Sequence, residues 1–359
     1  MKVDVAVIGA GPAGSVAAAL CAQGGLRTVL LDRERFPREK VCGDCLNPAA
    51  WEVLDRLDVA GSLGGRRHRL PGSVEFRSIS GKSFTVDLAA TSSRPEWVIR
   101  RSDLDAVLAS RAVDLGAEFR ENTSVLSVQP DGRVETSSGG IQASFVVAAD
   151  GRNSSTGRSL GCLPRSRPDR VAIQAHIPKP VFLQSTIAMA LHPEGYEGLA
   201  DLDDETANLC LVARPRDLPA LRDRVSDRLH LRADQPWRSI SPLDRRDGIP
   251  RVGRVLFAGD SARVVEPFTG EGITYALHGG ALAAGAVLRA AARGEAELDH
   301  YPPALHRLYR GRLWINRLAR LAVLHPRMAS TALETFGVAH WVLPLLTSKV
   351  SRVPIVCRC

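Results

Sequence analysis

A chain of 359 residues, 45% hydrophobic and 24% charged, is long enough to bury a large core and to divide into two or three lobes. The formal charge is +8 and 42 of the 47 basic residues are arginine, yet they are scattered and lack the interleaved aromatics of a single-strand binder, so nucleic acid is excluded as an expected partner. No apolar run reaches the ~18 residues of a bilayer span, no signal segment precedes the first strand, and seven irregularly spaced cysteines make no disulfide framework; a cytoplasmic chain with reduced thiols is expected, its positive field favouring anionic cofactors, acyl carriers or anionic lipid.

Residues 3–32, "VDVAVIGAGPAGSVAAALCAQGGLRTVLLD", read strand, tight turn, helix, strand. In the turn Gly9 permits the bend, Gly11 lets a pyrophosphate approach the backbone, and Gly14 lets helix and strand pack closely. Pro12 suits the first helical turn, whose free N–H groups and partial positive charge face the phosphates. Asp32, eighteen residues after Gly14, ends the second strand, placed to accept hydrogen bonds from ribose hydroxyls. A carboxylate there repels a 2′-phosphate, which excludes NADP and leaves NAD or FAD.

The loop "VCGDCLNP" (41–48) spaces Cys42 and Cys45 as a CxxC. Three readings compete: a dithiol redox pair, half of a zinc site that only Cys357 and Cys359 could complete, or a cavity wall and a small filler. The last is preferred, and no metal is expected. Residues 73–90 alternate about a Ser-Gly-Lys turn as a hairpin, 102–116 form a helix, and 117–149 a meander. A buried-type strand ends in Ala149-Asp150-Gly151. Alternating runs over 171–213, with 195–213 a second hairpin, predict a sheet roofing the cofactor. His176, His192, His278 and His325 lack metal spacing and are read as ordinary.

Residues 253–277 read strand, Gly259-Asp260, loop, then a helix opening at Gly270-Glu271-Gly272. Asp260 at a strand end can bond the ribityl hydroxyls of an extended cofactor, and the helix N-terminus would stabilise negative charge on the pyrimidine edge of a reduced flavin. The motifs therefore choose FAD over NAD. Residues 301–359 predict basic, leucine-rich helices bearing tryptophan, which suit a membrane surface or a position packed across the cofactor domain with arginine tips in solvent.

The trio GxGxxG, ADG and GD-x₆-PFTGEGI resembles flavoproteins built like p-hydroxybenzoate hydroxylase, and "PFTGEGI" with "VCGDCLNPAA" is most similar to the geranylgeranyl reductase family, over residues 1 to about 300. The resemblance implies an α/β fold: a Rossmann-like FAD-binding domain from 1–70, 96–160 and 247–300, an antiparallel β-sheet substrate domain from 71–95 and 161–246, and C-terminal helices over 301–359. It implies non-covalent FAD held by Gly9, Gly11, Ala13 and Gly14 at the pyrophosphate and by Asp32 at the adenosine ribose. Arg101 would reach the phosphates, Val125 would flank the adenine, and Asp150 and Asp260 would line the ribityl side. Gly270, Gly272 and Ile273 would lie by the flavin ring, against which the backbone of Cys42, Gly43 and Cys45 would also rest. The family loop reads approximately CGxG, so Cys45 replaces its second glycine, and the usual serine after ADG falls one residue out of register in "RNSSTGR".

The implied activity is reduction of a carbon–carbon double bond in a hydrophobic, isoprenoid- or polyketide-like substrate, free or carrier-bound, with electrons from NAD(P)H docking transiently or from a separate carrier. A monooxygenase acting through a flavin hydroperoxide and a non-catalytic or maturation flavoprotein serving a protein partner are the competing readings. Candidate catalytic residues are Cys42, Tyr196, Arg263 and Pro267. Tyr196 keeps the tyrosine of the family's YxWxFP-like stretch without its tryptophan or Phe-Pro, and Arg263 stands where aromatic hydroxylases often carry histidine.

Overall fold

The apolar run at the start of the chain becomes β1 (Lys2–Ile8), the glycine turn leads into α1 (Pro12–Gln23), and β2 (Thr28–Leu31) follows with all four residues buried. The computed structural model describes residues 1–164, 169–246, 248–335 and 338–352. After the CxxC loop come β3 (Cys45–Leu46), α2 (Trp51–Arg56), α3 (Ala60–Gly64), β4 (His68–Arg69), the hairpin β5 (Ser73–Arg77) and β6 (Ser83–Asp87), and β7 (Trp97–Ile99). Then α4 (Arg101–Asp114) and β8 (Glu118–Arg120) precede the meander β9 (Val125–Val128), β10 (Arg133–Thr136) and β11 (Gly139–Ala148). The short α5 (Ser155–Ser159) is capped by Ser154, whose hydroxyl accepts from the Gly157 N–H, so the serine after Asp150-Gly151 has a local backbone role.

The first sheet runs β17 (Arg251–Val252), β18 (Val255–Phe257), β11, β1, β2, β8, parallel from β18 to β8. Its register puts Leu31, Ile8, Ala148 and Phe257 side by side. The strand ends that lead into the glycine turn, Asp150 and Asp260 therefore emerge along one edge, where open parallel sheets receive ligands. A core of β1, β2, β11, α1, α4 and the long α7 (Gly272–Arg293) fills both faces; residues such as Leu30, Leu31 and Phe257 are fully buried, each contributing about 1.5–3 kcal/mol.

The second sheet gathers the alternating runs of residues 171–213 and the hairpin of 73–90. Its order is β16 (Arg238–Ile240), β12 (Val171–Pro178), β15 (Thr206–Ala213), β14 (Gly195–Asp201), β13 (Thr186–His192), β5, β6. Every pairing is antiparallel except β5 with β13, which runs parallel and joins the early hairpin to the later meander. Helix α6 (Leu218–Arg228) buries Leu221 and Val225 against this sheet.

The C-terminal helices α8 (Tyr301–Tyr309), α9 (Leu313–Leu324), α10 (Pro326–Thr335) and α11 (Val338–Ser351) wrap from α7 to the hairpin. Tyr301 donates its hydroxyl hydrogen bond to the Phe257 carbonyl at 2.6 Å, and Ala339 and Leu343 pack on Phe84 and Val86. Arginine tips in solvent describe this region only in part. Arg312 is buried on Glu271, and Arg320 pairs with Asp169 and Asp244.

Two glycines of α7 differ in what a methyl group would meet. At Gly280 a Cβ would overlap the Ala13 carbonyl of α1, whereas at Gly285 it would meet the flexible tip of Arg289 at 3.4 Å. Gly280→Ala is expected to cost about 1–3 kcal/mol, and Gly285→Ala to leave stability unchanged or raise it by up to about 1 kcal/mol. Urea denaturation of the two variants checks the contrast; equal midpoints would mean that α1 and α7 are not in backbone contact.

Candidate cofactor and substrate site

Gly9 adopts φ +94, and a Cβ there would sit 2.5 Å from the Ala149 carbonyl oxygen; a Cβ on Gly14 would overlap the carbonyl of Gly9 itself. These constraints fix the start of α1 against β1, with Pro12 at its first turn, no acid in that turn, and no side chain among the described residues capping it. Its free N–H groups are thus kept for an anion. Asp32 is buried at the end of β2, where its Oδ2 accepts the Ala10 N–H at 2.8 Å and its Oδ1 the Glu34 N–H at 3.0 Å. Ala13 is buried under Gly280, and Val125 opens β9 two residues beyond the Thr123 N–H that donates to the Asp32 carbonyl.

Three cations border this cleft. Arg101 grips Asp105 through two guanidinium nitrogens, and Arg38 contacts Asp105 at 3.1 Å and Asp32 at 3.5 Å while passing Gly11. Lys40 lies by Gly151; burial and then the Arg101 charge pull its ammonium down to about 8, with Asp260 and Asp105 opposing. Arg101 is the arginine to which the resemblance points; Arg38 and Lys40 lie in the basic run "RFPREK" directly after Asp32, a signal that the motif reading passes over. On the other side Asp260 pairs with Arg152 at 3.2 Å, and Asp150 accepts the Thr156 N–H through Oδ2 while its Oδ1 is buried without a partner among the described residues. Glycine cradle, cations and carboxylates fit the pyrophosphate and hydroxyls of FAD.

Cys42 and Cys45 belong to different cores. Cys42 packs against the cofactor-domain core, while Cys45 sits in β3 opposite Val98 and packs against the second sheet. Burial pushes both thiols up, against the pull of the Arg101 guanidinium on Cys42, so both are protonated at neutral pH and weak nucleophiles. Gly43 has open space at its Cβ position.

Asp44, between the cysteines, is buried at φ +58 and is the hub of a network that sequence reasoning missed. Its Oδ1 accepts the Arg101 N–H at 3.1 Å, and its Oδ2 accepts from Asn208 at 2.6 Å and from His176 Nε2 at 3.2 Å. Arg100 reaches His176 Nδ1 at 3.2 Å, and the Gln174 side-chain amide lies 3.0 Å from its Nε2. Asn208 also donates to the Cys42 carbonyl at 2.8 Å. His176 is thus part of a clasp between the second sheet and the loop.

At the other end Pro267, Phe268 and Thr269 form a single 3-10 turn, Gly270 takes φ +68, and α7 starts at Gly272 with Ile273 buried. Glu271, at the helix N-cap, is fully buried; its Oε1 accepts from Arg312 at 2.9 Å and from the Tyr275 hydroxyl, its Oε2 from Asn316. Phe268 meets the buried Tyr196 edge-on at 5.1 Å, in a cluster with Leu191, Met189, Leu243 and Val323. Beside it Glu266 and Arg170 form a buried pair at 2.6 Å. The structure therefore places Tyr196 against Phe268, the residue that follows Pro267. Arg263 instead lies over the Tyr309 ring at 5.3 Å and borders an open hollow with α8.

A strand-edge cleft with a glycine cradle, paired cations and two carboxylates defines an FAD-dependent oxidoreductase, and the family model for an FAD binding domain matches residues 2–180. The menaquinone reductase of Mycolicibacterium smegmatis is 35% identical over 79% of this chain and 76% of its own length. Digeranylgeranylglycerophospholipid reductase 1 of Methanopyrus kandleri is 28% identical over 79% of this chain and 80% of its own. The flavin-dependent brominase Bmp2 shares the fold, with a TM-score of 0.79 and 21% identity over 97% of this chain and 94% of that one. The chain belongs to the FAD-dependent oxidoreductase family that includes this menaquinone reductase.

Separate cores and high thiol pKa values lead to a specific titration result. Anaerobic dithionite titration of the FAD-loaded protein is expected to end at two electrons per FAD, and Cys45→Gly to leave turnover nearly unchanged. A four-electron end point, abolished by Cys45→Gly, would identify a dithiol enzyme.

Proposed function

We propose that this protein is an FAD-dependent reductase that saturates a carbon–carbon double bond of a hydrophobic, prenyl-bearing substrate. The carrying observation is the apolar wall of Tyr196, Phe268, Leu191 and Val323 built directly onto the turn that starts α7. The relatives support the same reading, since one is named for menaquinone and another for a digeranylgeranyl lipid.

The uncapped start of α1 with Arg38, Lys40 and Arg101 would hold the pyrophosphate, and Asp32 and Asp260 the hydroxyls of the two ends. Gly270, Gly272 and Ile273 would place the first turn of α7 at the ring, and the Asp44 clasp would hold the backbone of Cys42 and Gly43 on its other side. When bound and reduced, FAD supplies a hydride. Saturation needs a proton as well, and Cys42 Sγ holds one, because burial keeps the thiol protonated; the adjacent Arg101 guanidinium stabilises the thiolate left behind. Tyr196 and Phe268 exclude water from the reacting face, and Arg263, on the α8 side, takes no part in this scheme. NAD(P)H or a separate electron carrier would supply the electrons.

The test is chemical. FAD-loaded protein, reduced with dithionite and incubated with a polyprenyl quinone, is expected to yield, once the quinol ring has been reoxidised in air, a quinone heavier by one H₂ in its prenyl chain, and Cys42→Ala to slow its formation about 100-fold while retaining FAD. A product heavier by one oxygen under air, or no conversion of prenyl quinones and prenyl lipids alike, would overturn the reading.

A further inference from the structure

The molecule's excess charge sits in one segment. Residues 301–359 carry nine Lys or Arg and a single acid, Glu334, while the preceding 300 residues carry 38 of each sign. Glu334 is held by the Ser330 hydroxyl at 2.8 Å, at the end of α10. No helix among the described residues is long and apolar enough to cross a membrane.

The same segment exposes large apolar side chains in an order set by helix geometry. On α9 the inner face buries Ile315, Ala319 and Val323, and the outer face presents Trp314, Leu318 and Leu321, at i, i+4 and i+7. On α11 Trp341 is 83% exposed and Leu345 63%, one turn apart. Lys349 continues that row and lays its ammonium over the Trp314 ring at 5.1 Å, so the two rows meet. Arg310, Arg317 and Arg352 stand exposed around them. Beside Arg310 an open hollow of about 710 Å³ is lined by Arg263, His306 and Arg307, with Leu313 at its edge.

We propose that this face docks on an anionic phospholipid bilayer, with Trp314, Leu318, Leu321, Trp341 and Leu345 entering the headgroup boundary and the arginines and Lys349 meeting lipid phosphates. Charge complementarity selects the occupant. The face has tryptophans between an apolar row and a cationic rim and no unbonded carboxylate among its described residues, which is the composition that binds helices flat on a negatively charged surface. The rows meet where Lys349 covers the Trp314 ring, so the two helices present them next to one another. Docking of this kind is independent of which molecule the flavin reduces, so its failure would leave the reductase reading standing, and the converse.

Co-sedimentation of the full-length, FAD-loaded protein with vesicles tests the proposal. Vesicles of phosphatidylcholine mixed with phosphatidylglycerol are expected to carry the protein down, pure phosphatidylcholine vesicles to carry several-fold less, and added salt to release it. The double variant Trp314→Ser, Trp341→Ser, both at exposed positions, is expected to keep its FAD and melting temperature and to partition about tenfold more weakly, a loss of about 1.4 kcal/mol. Protein that stays in the supernatant with both vesicle types overturns the proposal, and so does equal binding of wild type and double variant. A concentration-dependent oligomer abolished by the double variant, without vesicle binding, would make the face an interface between copies of this chain and likewise overturn it.

Discussion

The arrangement rests on two absent Cβ atoms. Gly14 lets α1 start against the carbonyl of Gly9, and Gly280 lets α7 lie on the carbonyl of Ala13. In a close-packed interior neither contact has room for a methyl group. Together they stack the turn after β1, the first turn of α1 and the middle of α7, and so fix how far the glycine cradle stands from the start of α7. The parallel register of β1, β11 and β18 then brings Asp150 and Asp260 to the same edge.

What could be read from the sequence was local. Gly9, Gly11, Gly14 and Asp32 lie within one strand–helix–strand unit, and the hairpins at 73–90 and 195–213 reveal themselves by alternation over a few residues. What could not be read was pairing across long stretches of chain. Asp44 meets Asn208 and His176 more than 130 residues away, and neither spacing nor periodicity links them. Glu271 looked like part of a glycine-rich helix start until Arg312 and Asn316 arrived from α9. The parallel junction of β5 with β13 was hidden for the same reason, since alternation marks a strand without naming its neighbour.

The cations of the cleft are arranged before any ligand arrives. Arg38 and Arg101 share Asp105, a fully buried carboxylate on the first turns of α4. Buried ion pairs of this kind contribute little net stability, because desolvation offsets attraction, but they hold long side chains in one rotamer. Asp105 touches no proposed ligand atom and still decides where two guanidinium groups point. The Asp44 clasp does comparable work across the cleft, where a non-glycine residue at φ +58 is held by three donors.

Arg312 joins the surface to the interior. It donates to Glu271 at the start of α7, to the Val350 carbonyl at 3.2 Å and to the Arg352 carbonyl at the end of α11. One guanidinium therefore terminates the last described helix and neutralises a buried carboxylate beside the glycine-rich turn. Unravelling the end of α11 would strip Arg312 of two acceptors and leave Glu271 with a loosened counter-charge in a dry environment. The two regions thus form one cooperative opening unit although they are about 80 residues apart in sequence, and amide exchange in the first turn of α7 would follow the opening of the last turn of α11.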